Sequence, residues 1–387
     1  MPFHPIRCTP RARGFGGKGP GGYNPCVVQR ITVYGGKVAR DAIARAVDVL
    51  RRGGIVAFPT ETVYGICVNA TDPAAVNRLY AAKGRQAHRA CAFLLADRES
   101  ATELVPELPV LAHRLVEAFW PGPLTLIVPH AGSTVGLRLP AHGLARALAA
   151  EAGHPLLQSS ANRSGEPAAL NAAGVQAALG DSVDLLLDGG RTTGGRSSTV
   201  VRCDDKTFGI LRKGAVPDAE IIRAATELTL VVCTGNLCRS PLGEAMLRQA
   251  LAERLECAER DLTWHGHRLG SFGTIALAGH PASLNAVTVG EEYGLDLRAH
   301  RSRPFALSMI RDARRVYGLT RSHCDFLQPY FRQRPDDLDL LDPKGREIQD
   351  PYGLSLRAYR RVGAQIRKAV DQRAAELVPD GDDADAA

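Results

Sequence analysis

Apolar positions along the chain follow helical and strand periods in alternation, and the alternation starts twice. Over "DAIARAVDVLRRGG" (41–54), Ile43, Ala46, Val47 and Leu50 fall at helical spacing and a glycine pair stops the run, which predicts an amphipathic helix. "IVAF" follows as a strand. Asp72-Pro73 supplies an N-cap and a first-turn proline for the next helix, with Val76, Leu79 and Tyr80 on one face. Strand-like runs recur at "LTLIV" (124–128), "VGLRL" (135–139), "PLLQS" (155–159), "DLLL" (184–187) and "STVV" (198–201), with helical stretches between several of them. That alternation predicts an α/β domain ending near Ala215. "AVPDAEIIRAATE" (215–227) reads as a connecting helix. The pattern then restarts with the strand "LTLVV" (228–232), a loop and a helix from Pro241, and continues to about Leu377. The expected organisation is a basic arm over 1–26, a first domain over 27–215, a linker over 216–227, a second domain over 228–377 and an acidic tail over 378–387.

Composition adds little to this picture. At 387 residues the chain has room for two ordinary domains. No apolar run approaches a membrane span, and the start carries no signal-peptide pattern, so the expectation is a soluble, cytoplasmic protein with no membrane partner. Nine scattered cysteines argue against a disulfide framework. The formal charge of +7 equals the seven Lys and Arg of residues 1–40, which hold no acid. That basic arm reads as a solvated tail, with nucleic-acid contact left open. The tail "VPDGDDADAA" reads as disordered.

Chemistry concentrates in "VVCTGNLCRSPLGEAM" (231–246). A buried strand enters a glycine-containing loop that runs into a helix, which Ser240 can cap and Pro241 can begin. Unpaired N–H groups and the helix dipole favour an anion there, and the same field stabilises a thiolate at Cys233. Arg239 can bring a planar fork to phosphate oxygens. Zinc would need two further ligands, and no paired Cys or His cluster lies nearby. A thioredoxin-type pair would need two intervening residues where four stand. Cys238 reads as a packing residue, with a protective Cys233–Cys238 disulfide under oxidation left open. Phosphoester cleavage also needs an acid for the leaving group, and Asp350 in "REIQDPYG" (346–353) offers one beside a stiffening proline.

With "CTGNLCRSP", the late "DPYG" and the middle stretch "GHPASLNAVTVGEEYGLDLRAHRSRP" (279–304), residues 228–377 resemble the low-molecular-weight protein tyrosine phosphatases. The resemblance implies a Rossmann-like parallel-sheet domain and a protein-tyrosine-phosphatase needing no cofactor. It implies Cys233 as nucleophile through a cysteinyl-phosphate, Arg239 as clamp, Ser240 as thiolate donor, Asn236 as loop brace and Asp350 as general acid. In "SFGT" (271–274) Phe272 stands where that family usually has Ala. Leu237 lies where the related protein-arginine phosphatases carry Thr, which favours phosphotyrosine.

The first domain has no single decisive piece. "GGIVAFPTETVYGICVNA" (53–70), "KGRQAHR" (83–89), "FWPGPLTLIV" (119–128), "STVGLRLP" (133–140) and "SSANRSG" (159–165) combine hydroxyls, clustered cations and small residues suited to a polar ligand. Each alone reads as a cap, surface charge or a turn. In this order and spacing they resemble the YrdC family of threonylcarbamoyl-AMP synthases over about 30–215. The resemblance implies a twisted α/β fold with a basic cleft. It implies formation of L-threonylcarbamoyladenylate from L-threonine, bicarbonate and ATP, with Mg2+ sharing the charge, for downstream machinery that modifies tRNA adenosine. Thr62 and Arg138 match positions that hold threonine. Lys83, Arg85, Arg89, Thr134, Ser160 and Arg212 match the nucleotide side, and Asn162 supports its loop. "RACAFLLAD" (89–97) and Ala168 depart from the family's commoner residues.

The expected whole is a bifunctional nucleotidyltransferase and phosphoprotein hydrolase. The alternatives are an active synthase with a regulatory phosphate-binding C-terminal module, and a tRNA-binding N-terminal module fused to a phosphatase.

Overall fold

A computed structural model describes residues 29–33, 36–84, 91–332 and 334–379. The chain divides into two compact units between Ala225 and Thr226. The basic arm, Arg85 and Arg89, and all but the first two residues of the acidic tail lie outside the described residues.

The first unit is built on strands β1 (Gln29–Thr32), β2 (Val56–Phe58), β3 (Gly65–Asn69), β4 (Ala92–Leu94), β5 (Leu124–His130), β6 (Ser133–Arg138), β7 (Leu156–Ser160), β8 (Leu185–Asp188), β9 (Thr199–Cys203) and β10 (Phe208–Arg212). They form one mixed sheet in the order β1-β8-β2-β3-β7-β4-β6-β5-β9-β10. Helices α1 (Gly36–Arg51), α2 (Pro73–Ala82), α3 (Glu99–Leu104), α4 (Val110–Phe119), α5 (Gly143–Glu151), α6 (Ala172–Leu179) and α7 (Asp218–Ala225) accompany it. The helical spacing of 41–50 has its expected outcome: Ile43, Ala46, Val47 and Leu50 of α1 are buried with Leu148 of α5. Asp72 caps α2, its Oδ1 accepting from the N–H groups of Ala74 and Ala75, an arrangement worth about 1 kcal/mol.

Two differences from the sequence-based expectation have plain causes. The segment expected as a linker is not one, because Ile221 and Ala225 of α7 are buried among Leu111 and Leu115 of α4. "GICVN", to which the hydrophobic pattern assigned no element, is strand β3, antiparallel to β2. The stretch "PTETVY" between them is thus the turn of a hairpin. Thr60 braces it, its Oγ1 accepting from Val63 N at 3.2 Å and donating to Val63 O at 2.6 Å.

The second unit holds β11 (Glu227–Cys233), β12 (His267–Gly273), β13 (Ala313–Gly318) and β14 (Leu338–Leu340), all parallel, in the order β12-β11-β13-β14. Its helices are α8 (Arg239–Arg254), α9 (Leu284–Glu292), α10 (Leu307–Arg311), α11 (Arg321–Leu327) and α12 (Leu356–Leu377). Strand β11 is central, and its run Leu230–Cys233 is buried on both faces, as parallel strands between helices are. One face meets α8 and α12 through Leu242, Met246, Ile366 and Val370. The other packs Phe272 and Ile310. Phe272, the departure noted above, is fully buried with its ring 5.8 Å from that of Phe305.

Candidate active sites

In the first unit, one face of the sheet opens into a cavity of about 420 Å³. Thr62, Lys83, Arg138, Ser160, Asn162 and Arg212 all line it, so six of the expected residues converge although 150 positions separate the first from the last. Thr134 does not join them. It shares a strand face with Arg138, but it sits four residues, about 13 Å, back along β6, exposed at the hairpin's turn end where it pairs with Pro129.

Arg138 is nearly buried and contacts a residue that the sequence alone does not single out. Its NH2 donates to Glu61 Oε1 at 2.5 Å and to Thr62 Oγ1 at 3.3 Å, while Nε has no partner among the described residues. Glu61 Oε2 accepts from Ala141 N at 3.1 Å. Burial lowers the guanidinium's pKa and the Glu61 carboxylate opposes it; an arginine stays charged regardless. Gly194 makes room for this turn, since a Cβ there would lie 2.5 Å from Glu61 O.

At the other end, the buried Lys83 donates from Nζ to Ser160 O at 2.5 Å and Asn162 O at 2.7 Å. Asn162 braces its loop from Nδ2 to Arg163 O and Glu166 O, and accepts from Ser160 Oγ. Arg212, level with Arg138 through Thr125 of β5 and Val200 of β9, donates from NH2 to Ser198 O at 2.9 Å and Ser198 Oγ at 3.0 Å. The wall is thus cationic and hydroxyl-rich, suited to an anionic ligand.

In the second unit the loop after β11 wraps an anion-sized cradle. Cys233 Sγ lies 3.0 Å from Ser240 Oγ and accepts from Asn236 N at 3.3 Å. Asn236 has φ 53° and donates from Nδ2 to Ser240 Oγ and Ser271 Oγ, each at 2.9 Å. Because Nδ2 only donates, the Ser240 proton is left for Cys233 and the Ser271 proton for Glu244 Oε2, at 2.7 Å. Gly273 is required by this loop: a Cβ there would lie 2.5 Å from Thr234 O.

Ser240 therefore does not cap α8. The helix begins at Arg239, and placing Ser240 in its first turn carries the hydroxyl back over the sulfur. Arg239, 3% exposed, donates from NH1 to Ile348 O at 3.0 Å and from NH2 to Asp350 Oδ2 at 2.6 Å. Leu237 is half-buried in the loop. Cys238 is a free thiol 3.1 Å from Tyr359 OH, and burial raises its pKa.

Sequence reasoning missed His323. Its Nδ1 accepts from Thr320 N at 3.1 Å and must therefore be unprotonated, so Nε2 carries the proton and donates to Thr234 Oγ1 at 3.0 Å. Burial, reinforced by the Arg239 charge, pushes its pKa down to about 4. His300 Nε2 holds the same loop at Asn236 O, 2.8 Å away. Among the described residues no group of three His, Cys, Asp or Glu could hold a metal ion, and no helix is long and apolar enough to cross a membrane.

Comparison with known proteins follows this division. Residues 48–214 match the Sua5/YciO/YrdC family, described as "Telomere recombination". Residues 229–382 match the "Low molecular weight phosphotyrosine protein phosphatase" family. The threonylcarbamoyl-AMP synthase of Pyrococcus abyssi is 37% identical over 195 residues, 48% of this chain and 57% of that protein. The threonylcarbamoyl-AMP synthase of Chromohalobacter salexigens is 39% identical over 170 residues, 41% of this chain and 91% of that protein. A solved low-molecular-weight protein tyrosine phosphatase from T. tengcongensis is 28% identical over 39% of this chain and 100% of its own, with a TM-score of 0.35. The chain thus spans little more than half of the P. abyssi relative and most of the C. salexigens one. It belongs to the Sua5/YciO/YrdC family, with that domain over residues 48–214 joined in one polypeptide to a low-molecular-weight phosphotyrosine phosphatase domain over 229–382.

Proposed function

We propose that the chain is a bifunctional enzyme that makes threonylcarbamoyl-AMP in its first unit and hydrolyses protein phosphotyrosine in its second. The observation that carries the first half is the convergence of Thr62, Lys83, Arg138, Ser160 and Arg212 on one cavity. The threonine α-ammonium and bicarbonate give the N-carboxylate, with loss of water and one proton to solvent. A carboxylate oxygen then attacks the α-phosphorus of ATP, the new O–P bond forms, and the bond to pyrophosphate breaks. Arg138 would take the threonine α-carboxylate, Thr62 its hydroxyl, and Lys83 and Arg212 the phosphates, with Asn162 and Ser160 shaping the loop. Charge stabilisation of this kind is the main demand of adenylyl transfer. Arg85, Arg89 and Thr134 remain assigned to the nucleotide side by resemblance alone. Among the described residues no carboxylate lines the cavity, so Mg2+ would be carried by the ATP phosphates and their waters. The product would feed the modification of tRNA adenosine.

In the second unit the Cys233 thiolate, held by Ser240 and Asn236, would attack the phosphorus of an aryl phosphate as the bond to the tyrosine oxygen breaks. Asp350 would give that oxygen its proton, and Arg239 would fork onto two phosphoryl oxygens. Water then attacks the cysteinyl-phosphate, returning a proton to Asp350 and releasing phosphate. The carrying observation is that Cys233, Ser240, Arg239 and Asp350 are joined by two direct hydrogen bonds around one loop. The test is to supply the full chain with threonine, bicarbonate and ATP and measure threonylcarbamoyl-AMP and pyrophosphate, and separately to measure phosphate release from a phosphotyrosine peptide. Pyrophosphate formed without dependence on threonine, or no phosphate release, removes the corresponding half.

A further inference from the structure

The cavity of the first unit has a polar group in its floor that none of the roles above uses. Gln158, on β7, lines the cavity and is half-buried. Its neighbours across the sheet are Cys67 on β3 and Ala92 on β4, and Ala92 pairs in turn with Gly136 on β6. Ala92 and Gly136 are too small to cover it. Gly136 has to be small, since a Cβ there would lie 2.9 Å from Cys91 O. Among the described residues nothing hydrogen-bonds the Gln158 side chain. A half-buried amide with two donors and one acceptor, left unpaired in a polar cleft, has chemistry to offer a ligand.

Register fixes where along the ligand that amide acts. Leu156 of β7 is aligned with Leu94 and, through it, with Arg138. Ser160 of β7 is aligned with Gly65, and its carbonyl holds Lys83. Gln158 points to the same sheet face as both and lies midway, about 7 Å from each row. It therefore stands between the Arg138 end and the Lys83 end of the cavity. In threonylcarbamoyl-AMP the group between those ends is the carbamoyl–phosphate junction.

We propose that Gln158 is a catalytic residue of the synthase site, its side-chain N–H donating to the carbamate or α-phosphoryl oxygen as the O–P bond forms. The assignment rests on the synthase reading. A neutral amide suits this place: it stabilises charge developing on oxygen without adding a cation that would hold the anionic product.

The experiment measures threonylcarbamoyl-AMP formation by the full chain as wild type, Gln158→Ala and Gln158→Glu, varying threonine and ATP separately. The expected result is a fall in kcat of about tenfold or more for Gln158→Ala, with each KM within about twofold. Gln158→Glu should fall further, because a carboxylate would face the developing negative charge. Thermal unfolding should be unchanged, since the side chain holds nothing else. A kcat for Gln158→Ala within twofold of wild type, a loss confined to one KM, or Gln158→Glu more active than Gln158→Ala overturns the assignment while leaving the synthase intact. No product from the wild type itself overturns the synthase reading, and this assignment with it.

Discussion

Arg239 and Asp350 are bound to each other, NH2 to Oδ2 at 2.6 Å, with Arg239 3% exposed and the Asp350 side chain 47% exposed. The arginine is fixed by Ile348 O behind it, while the carboxylate is the partner on the solvent side. On the proposed mechanism, a phosphate dianion entering the loop would compete for that NH2 and release Asp350 to act on the leaving group.

Asp350→Asn keeps a hydrogen bond to Arg239 and removes the proton. Turnover on phosphotyrosine should fall by about 100-fold or more, the usual worth of a general acid. On p-nitrophenyl phosphate, whose leaving group needs little help, the fall should stay under about tenfold. Parallel kcat measurements decide it, and equal losses would make Asp350 a loop residue only.

Arg138→Ala should abolish most threonylcarbamoyl-AMP formation, since a charged hydrogen bond is worth about 1.5–3 kcal/mol, or roughly 10- to 150-fold. It also strips Glu61 of its charged partner in a mostly buried place, which should lower the melting temperature. Adding Glu61→Gln to that variant should restore stability without restoring product. Recovery of both would mean that Arg138 serves the fold and not threonine.

The pair Arg138–Glu61 also marks the limit of what could be read from sequence. Arg138 was legible because a lone cation in an apolar strand must face something polar. Glu61 was not, because its meaning lies in a contact 77 positions away. Strand period put Thr134 on the correct face, but how far the cavity extends along β6 depends on neighbouring strands. "SP" after Arg239 reads as a cap followed by a first-turn proline; only the closing of the loop onto Cys233 moves the helix start back. His323, Ser271 and Glu244 came from three separate elements and carry no local signal. Strand β11, by contrast, was legible as a continuous apolar run, unlike β12 and β13, which Arg268, Arg314 and Arg315 interrupt. Strand β3 was not, because "GICVN" is short and follows directly on a turn.

His323 makes the second unit's stability depend on pH. Its folded pKa of about 4 lies below the ordinary 6.5, so the unfolded chain binds the proton more readily. The contribution is full above about pH 6.5 and is lost as pH falls toward 4, reaching about 3 kcal/mol. Besides Thr234 and Thr320, the charges facing this ring are Arg239, Asp350 and Glu347. His323→Gln keeps a donor toward Thr234 but cannot titrate. Calorimetry of the second unit's transition in the full chain, from pH 7 to 4.5, should show a shallower decline for the variant. Identical slopes would remove His323 from the linkage.

On the proposed phosphatase reading, Leu237 would set which phosphorylated side chain the second unit favours. It sits half-buried within the phosphate loop, its carbonyl held by Ser283 N at 2.9 Å, so the backbone fixes where its side chain stands. Two carbons of that side chain lie 3.8 and 3.9 Å from where a Cβ on Gly235 would be, so it packs along the loop's own rim. An apolar wall there suits an aromatic ring and offers no hydroxyl to a guanidinium phosphate. Clear activity on phosphotyrosine and little on phosphoarginine is expected. Leu237→Thr should move the ratio of kcat/KM toward phosphoarginine by about tenfold, because the new hydroxyl adds a hydrogen bond for one substrate and the shorter side chain packs less well on the ring of the other. Cys233 chemistry should persist in that variant, seen as unchanged turnover of p-nitrophenyl phosphate. Measuring both substrates with both proteins settles the point: a wild-type preference for phosphoarginine would overturn the tyrosine assignment and leave the cysteine mechanism standing, because nothing in the Cys233–Ser240 bond depends on what the phosphorus is attached to.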